Sequence, residues 1–106
     1  MKGGKIMETK MIQGYLDADG RVMQMPSKKK KKLYVLSYLA DRIPEEQEFT
    51  EKEFNELLSN LHTFGDSATL RREMYNFGLI NRKQNGSRYV VNKDRLSVED
   101  LVEKYC

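Results

Sequence analysis

Apolar residues recur every three or four positions in three stretches of the chain, and that period predicts three amphipathic helices. Leu33, Leu36, Leu39, Ala40 and Ile43 make one stripe of a first helix over about residues 28 to 42. Ser27 is placed to cap it, and Pro44 blocks its extension. Phe54, Leu57, Leu58 and Leu61 form the buried face of a second helix. Its start is set by Thr50-Glu51-Lys52-Glu53, a capping box, with Phe49 and Phe54 where a hydrophobic staple requires them. After the turn His62-Thr63-Phe64-Gly65, Leu70, Met74 and Phe77 give a third helix, capped by Asp66 or Ser67 and ended at Gly78.

Elsewhere short β-rich runs flank turn residues. Met11–Leu16 and Arg21–Met25 read as a hairpin through Asp17-Ala18-Asp19-Gly20. Leu79–Arg82 and Ser87–Val91 read as a second hairpin around Lys83-Gln84-Asn85-Gly86, where Asn-Gly supplies the tight turn. A last short helix follows a Ser97 cap, with Val98, Leu101, Val102 and Tyr105 on one side. Three helices and then a hairpin predict an α+β fold of the winged helix-turn-helix order: a three-helix core, a C-terminal β-hairpin wing, an N-terminal β-hairpin and a short C-terminal helix. Residues 1–9 are expected to be a flexible N-terminus and 10–106 a single domain. Tyr34 and Tyr38 fall opposite the apolar stripe of the first helix, so they should pack under the hairpin, the terminal helix or a second subunit rather than stack on bases.

Composition narrows the class. With 106 residues, 39% hydrophobic and 33% charged, the chain has material for one core and a heavily charged surface. No apolar run approaches a membrane span, and the beginning lacks a secretory signal, so a cytoplasmic protein is expected, with no membrane partner. One cysteine, Cys106, and one histidine, His62, leave no disulfide and no metal cage, so neither a metal nor a cofactor is expected. His62, close to the end of a helix, reads as a dipole-satisfying or half-buried residue rather than a general base. No serine or cysteine lies in a nucleophile turn, and the expectation is a protein that is not an enzyme.

Net charge is only +3, but it is unevenly distributed. Lys28 to Lys32 are five consecutive cations, and residues 71 to 95 hold seven cations against Glu73 and Asp94. Residues 45 to 56 oppose six glutamates to Lys52. A basic end and an acidic end would orient the domain on a polyanion. The outer face of the third helix would then carry Ala68, Arg72 and Tyr75, flanked by Thr69, Arg71 and Asn76. Ala68 permits close approach, Thr69 can bond to a base or phosphate, Arg72 can pair with guanine, and Arg71 can meet phosphate from the flank. Arg82, Lys83 and Arg88 of the wing, and Lys28, Lys29, Lys30 and Lys31, are the remaining phosphate candidates. The same arginines read equally as solvated helix residues, and the wing cations as edge-strand protection.

The runs Tyr15-Leu16-Asp17-Ala18-Asp19-Gly20-Arg21, Met25-Pro26-Ser27-Lys28-Lys29-Lys30, Phe49-Thr50-Glu51-Lys52-Glu53-Phe54-Asn55, Asp66-Ser67-Ala68-Thr69-Leu70-Arg71-Arg72-Glu73 and Gly86-Ser87-Arg88-Tyr89 occur in order. Together they resemble a bacterial family called domain of unknown function two thousand eighty-seven, over about residues 15 to 91. Two departures are visible: Val90-Val91-Asn92 stands where the family has an aromatic-rich ending, and Phe64-Gly65 lengthens the turn before the third helix. Members occurring alone or behind helix-turn-helix repressor domains imply a role in transcription. The expected function is therefore a DNA-binding transcriptional regulator acting on double-stranded DNA, with the helix at 66–77 in the major groove and the wing at 79–91 on the backbone. The alternative is a winged-helix interaction module, including a homodimer through Tyr34, Tyr38 or the C-terminal helix. RNA binding is a third reading, though the chain lacks the aromatic strand motif of sheet-type RNA binders.

Overall fold

Helix α1 (Lys29–Asp41) carries more than a stripe: Leu33, Val35, Leu36, Ser37, Leu39 and Ala40 are all buried, so the helix is covered on most of its circumference. The computed structural model describes residues 10–83 and 88–106. The expected flexible segment 1–9 and the turn at 84–86 lie outside the described residues. Those described form an α+β fold of four α-helices, a further helical stretch at 10–12, one 3-10 turn and a small antiparallel sheet. No helix among them is long and apolar enough to cross a membrane.

The caps expected for α2 (Glu51–Ser59) and α3 (Ser67–Asn76) are present. Thr50 accepts from the Glu53 amide while Glu53 accepts from the Thr50 amide, and the Phe49 and Phe54 rings meet edge to face at 5.7 Å. Asp66 caps α3 by accepting from the Thr69 amide, and Gly78, at φ +75°, takes the left-handed conformation just beyond its end. Helix α4 (Val98–Tyr105) starts on Ser97, packs on α1 and buries Val98 and Leu101.

Helix α1 departs from expectation at its start. Its N-cap is Lys28, which makes no side-chain cap bond, so Ser27 lies one residue too early to serve the first turn. Lys29 to Lys32 thus open a helix with no acidic residue in its first turn, where the helix dipole disfavours cations.

The N-terminal hairpin does not form. Residues 10–12 are helical and lead into a 3-10 turn at Gln13–Tyr15, leaving one isolated antiparallel bridge, Leu16 to Val22. Two competing sets of hydrogen bonds displace the ladder, one from a side chain and one from the backbone. Asp17 Oδ1 accepts from the amides of Asp19 and Arg21, a local alternative to strand pairing. Val22 pairs instead with the turn after α2, donating its amide to Leu61 and accepting from Thr63. Gly20 still supplies the positive φ, +80°, and its carbonyl accepts from the Tyr38 hydroxyl at 2.7 Å. Tyr38 therefore packs under this loop, with Arg42 over its ring.

The sheet has the order β1-β3-β2, with β1 at Phe49–Thr50, β2 at Ile80–Arg82 and β3 at Arg88–Val91. Strand β1 was not expected. The extended backbone that Thr50 needs as an N-cap also lets Phe49 and Thr50 pair with Tyr89 and Arg88. Phe49, Tyr89, Val91, Ile80 and Arg82 are in facing register and share the sheet face turned toward the helices.

Beyond β3 the chain is pinned by Arg95, which donates to Asp41 at 2.9 Å, Glu45 at 3.1 Å and the Asn92 carbonyl at 3.1 Å. Burial alone would lower the guanidinium pKa, but hydrogen bonds to the two carboxylates outweigh it and leave it raised.

Candidate nucleic-acid interface

Helix α3 has two flanks, each tied to a neighbour. On one, Arg71 donates to Asn55 Oδ1 of α2, faces Glu51 at 3.7 Å and lies over the Tyr89 ring at 5.6 Å. On the other, Glu73 meets Lys32 of α1 at 3.9 Å. Leu70 and Met74 point into the core. By the helical period the outward face is Ala68, Arg72, Tyr75 and Asn76, and all four are exposed. That face stands between the sheet on one side and the lysine-rich start of α1 on the other. Thr69 is half-buried and bonds by hydroxyl and amide to Asp66.

Strand alternation sorts the wing cations. Arg82 pairs with Tyr89 in register, so it shares the helix-side face of the sheet, while Lys83 and Arg88 belong to the opposite face. Arg71, Arg72, Tyr75, Arg82 and Tyr89 consequently line one cleft of about 130 Å³ between α3 and the sheet. Lys83 goes elsewhere. It pairs with Glu48 at 3.4 Å in a depression it shares with Glu45 and Glu46, which leaves it occupied within the fold instead of serving as a phosphate contact. The separate basic and acidic ends are corrected too. Glu45, Glu48 and Glu51 each face a cation, Arg95, Lys83 and Arg71 respectively, because folding lays the acidic segment against the sheet and α3.

Of the lysine run, Lys28, Lys29 and Lys30 are exposed, Lys31 lies over the Tyr15 ring at 5.9 Å, and Lys32 is paired with Glu73. Sequence reasoning missed two residues that shape the cleft. Tyr89 forms its wall, stacked on Phe54 at 5.7 Å, and Asn55 holds Arg71. The alternation in Arg88-Tyr89-Val90-Val91 was the available signal for Tyr89. Nothing local signals Asn55, whose partner is sixteen positions away.

The turn before α3 is held by His62, which is 3% exposed. Its Nδ1 donates to the Leu58 carbonyl at 2.7 Å and its Nε2 accepts from the Asp66 amide at 2.9 Å, which requires the neutral tautomer with the proton on Nδ1. His62 is thus fully buried, where the sequence suggested a dipole-satisfying or half-buried residue, and both ring nitrogens are engaged within the fold.

The Asp66 carboxyl is held below its ordinary pKa chiefly by hydrogen bonds from the Thr69 hydroxyl and amide, with the positive charge of Arg72 adding a smaller effect. The Asp17 carboxyl is lowered as well, chiefly by the Arg21 amide. A depressed folded-state pKa contributes stability that is complete above the unfolded value, about 3.9, and is lost as pH falls through the folded value. Urea unfolding midpoints are therefore expected to drop below about pH 4, and the double variant Asp17→Asn, Asp66→Asn should show a shallower acid limb. Parallel pH profiles for the two proteins would refute this assignment.

A family model described as an uncharacterized protein conserved in bacteria (DUF2087) matches residues 21–91. The matched span runs from just before the Val22 bridge to the last residue of β3, and all five cleft residues fall inside it. No curated protein and no solved structure matches the chain.

Proposed function

The chain belongs to the DUF2087 family of bacterial proteins, and from that premise we propose that it is a winged-helix DNA-binding domain serving transcription, with α3 as the helix presented to the major groove and β2–β3 as the wing. One observation carries the reading: the exposed face of α3 and the helix-side arginine of β2 converge on one arginine-lined cleft, with the lysine-rich start of α1 on the other flank of α3. Guanidinium groups match phosphate geometry, and cations at a helix start are relieved by a polyanion. In this reading Ala68 and Asn76 enter the groove, and Arg72 and Tyr75 stand at its rim beside the cleft. Arg82 and Lys28 to Lys30 lie along the backbone, while Lys83 and Arg88 serve mainly the outer face of the sheet.

The competing reading, a dimerisation or interaction module, drew on Tyr34, Tyr38 and the terminal helix. The hydroxyl of Tyr38 is engaged by Gly20, Tyr34 packs partly on the core, and Tyr105 meets Phe77 edge to face at 4.9 Å. These residues serve the domain's own packing, which favours the DNA reading over this one.

Titration of a labelled duplex is expected to show binding that weakens with salt. For about four neutralised phosphates the affinity should fall roughly a hundredfold between about 50 and 200 mM monovalent salt. Binding no tighter than that of a neutral control protein at the lowest salt would sink the reading.

A further inference from the structure

We propose that the cleft between α3 and the sheet seats a single phosphate group, bound by Arg72 and Arg82 with the Tyr75 hydroxyl as a further donor, and that Arg71 positions the cleft wall instead of binding. Assigning that phosphate to a nucleic-acid backbone rests on the reading above; the chemistry of the seat does not, since a free phosphorylated molecule offers the same group.

Size is the first argument. At about 130 Å³ the cleft is well below the roughly 300–1,000 Å³ of pockets that enclose a whole small molecule, so it takes one functional group of a larger or solvent-exposed ligand. Charge is the second. Three guanidinium groups and two phenols line it, and no carboxylate does. Cations brought together this way repel one another unless an anion joins them, and the guanidinium fork fits phosphate oxygens two at a time.

The three arginines are not equivalent. Arg71 is only 16% exposed at its side chain, bonded to Asn55, opposed by Glu51 and laid over Tyr89, so its charge is balanced within the fold. It holds Tyr89 and α2 in place. Arg72 is exposed and makes no hydrogen bond or ion pair with the described residues. Arg82 stands on the sheet side of the same cleft, in register with Tyr89. Arg72 and Arg82 thus reach the ligand from two different elements. Sharing one phosphate with Arg82 makes Arg72 a contact that sets register, where the sequence alone suggested guanine recognition.

The test has two arms. In the first, inorganic phosphate is titrated into the isotope-labelled protein while the arginine Nε–Hε signals are followed. Arg72 and Arg82 are expected to shift together and saturably, while Arg88, on the opposite sheet face, and Arg42, over Tyr38, stay still. In the second, Arg72→Ala and Arg82→Ala are compared with the unaltered protein on two duplexes of unrelated sequence. Each substitution should weaken binding about tenfold on both duplexes and lower the salt slope by about one. Both sites are exposed, so the variants are expected to fold, and circular dichroism checks that they do.

Selective phosphate shifts with uniform loss on both duplexes support the seat and place it on the nucleic-acid backbone. Selective shifts in a protein that binds no duplex overturn the DNA reading and support the seat for a free phosphorylated ligand. Absence of a selective shift at Arg72 and Arg82 overturns the seat even if duplexes bind. Loss on one sequence only for Arg72→Ala, with an unchanged salt slope, overturns it too, because Arg72 then reads a base.

Discussion

Replacing Phe54 with alanine is expected to destabilise the domain by about 3–5 kcal/mol, the usual range for removing a fully buried phenylalanine ring. The ring is completely buried and sits at a junction of three elements: edge to face on Phe49 of β1, stacked on Tyr89 of β3 and rooted in α2. Its removal leaves a cavity that no neighbour can fill, since Phe49 and Tyr89 are fixed by their own strand pairing. Against a total of about 5–15 kcal/mol, that loss consumes a large part of the stability. Thermal unfolding monitored by circular dichroism should show the midpoint lowered by at least about 12 °C. The effect reaches the candidate site as well, because Tyr89 is the wall of the arginine-lined cleft. A loss below about 1 kcal/mol would show that the sheet does not depend on this ring.

Removing the hydrogen bonds of His62 is expected to be the next most damaging change, at about 1–3 kcal/mol. In His62→Phe the ring volume and its contact with Phe64, centroids 4.5 Å apart, are largely kept, but the Asp66 amide loses its partner and the Leu58 carbonyl keeps only the Leu61 amide. An amide left unpaired costs about 1–3 kcal/mol. His62 spans the turn between α2 and α3, and the parallel bridge with Val22 fastens the N-terminal segment to the same turn. The substitution therefore acts on the angle at which α3 is presented. Urea unfolding and duplex affinity, both measured well below the melting temperature, should worsen together. If His62→Phe matches the unaltered protein in stability, packing and not hydrogen bonding secures the turn.

These two residues also show where local sequence logic stops. The lone histidine was legible as a structural residue, because a solitary imidazole near a helix end lacks partners for chemistry. Its two bonding partners were not, since the one at Asp66 exists only once the longer turn has folded back. Phe54 was legible as a staple partner of Phe49, from spacing alone. That it also stacks on Tyr89 follows from β1, a strand of two residues too short to leave a pattern of its own.

The three helices of the core, the capping residues of α2, α3 and α4 and the main course of β2 and β3 followed from the sequence, because caps and helical periodicity are set by residues within a few positions of one another. The failure of the N-terminal hairpin, the third strand, and the sorting of the cations were decided by tertiary structure. Whether Val22 bridges to Leu16 alone or also to the turn at His62, and whether Lys83 finds Glu48 while Arg82 faces Arg72, depends on competing partners distant along the chain. Local patterns leave such competitions open, since the free energies at stake are small and only the packed arrangement brings the rivals within reach.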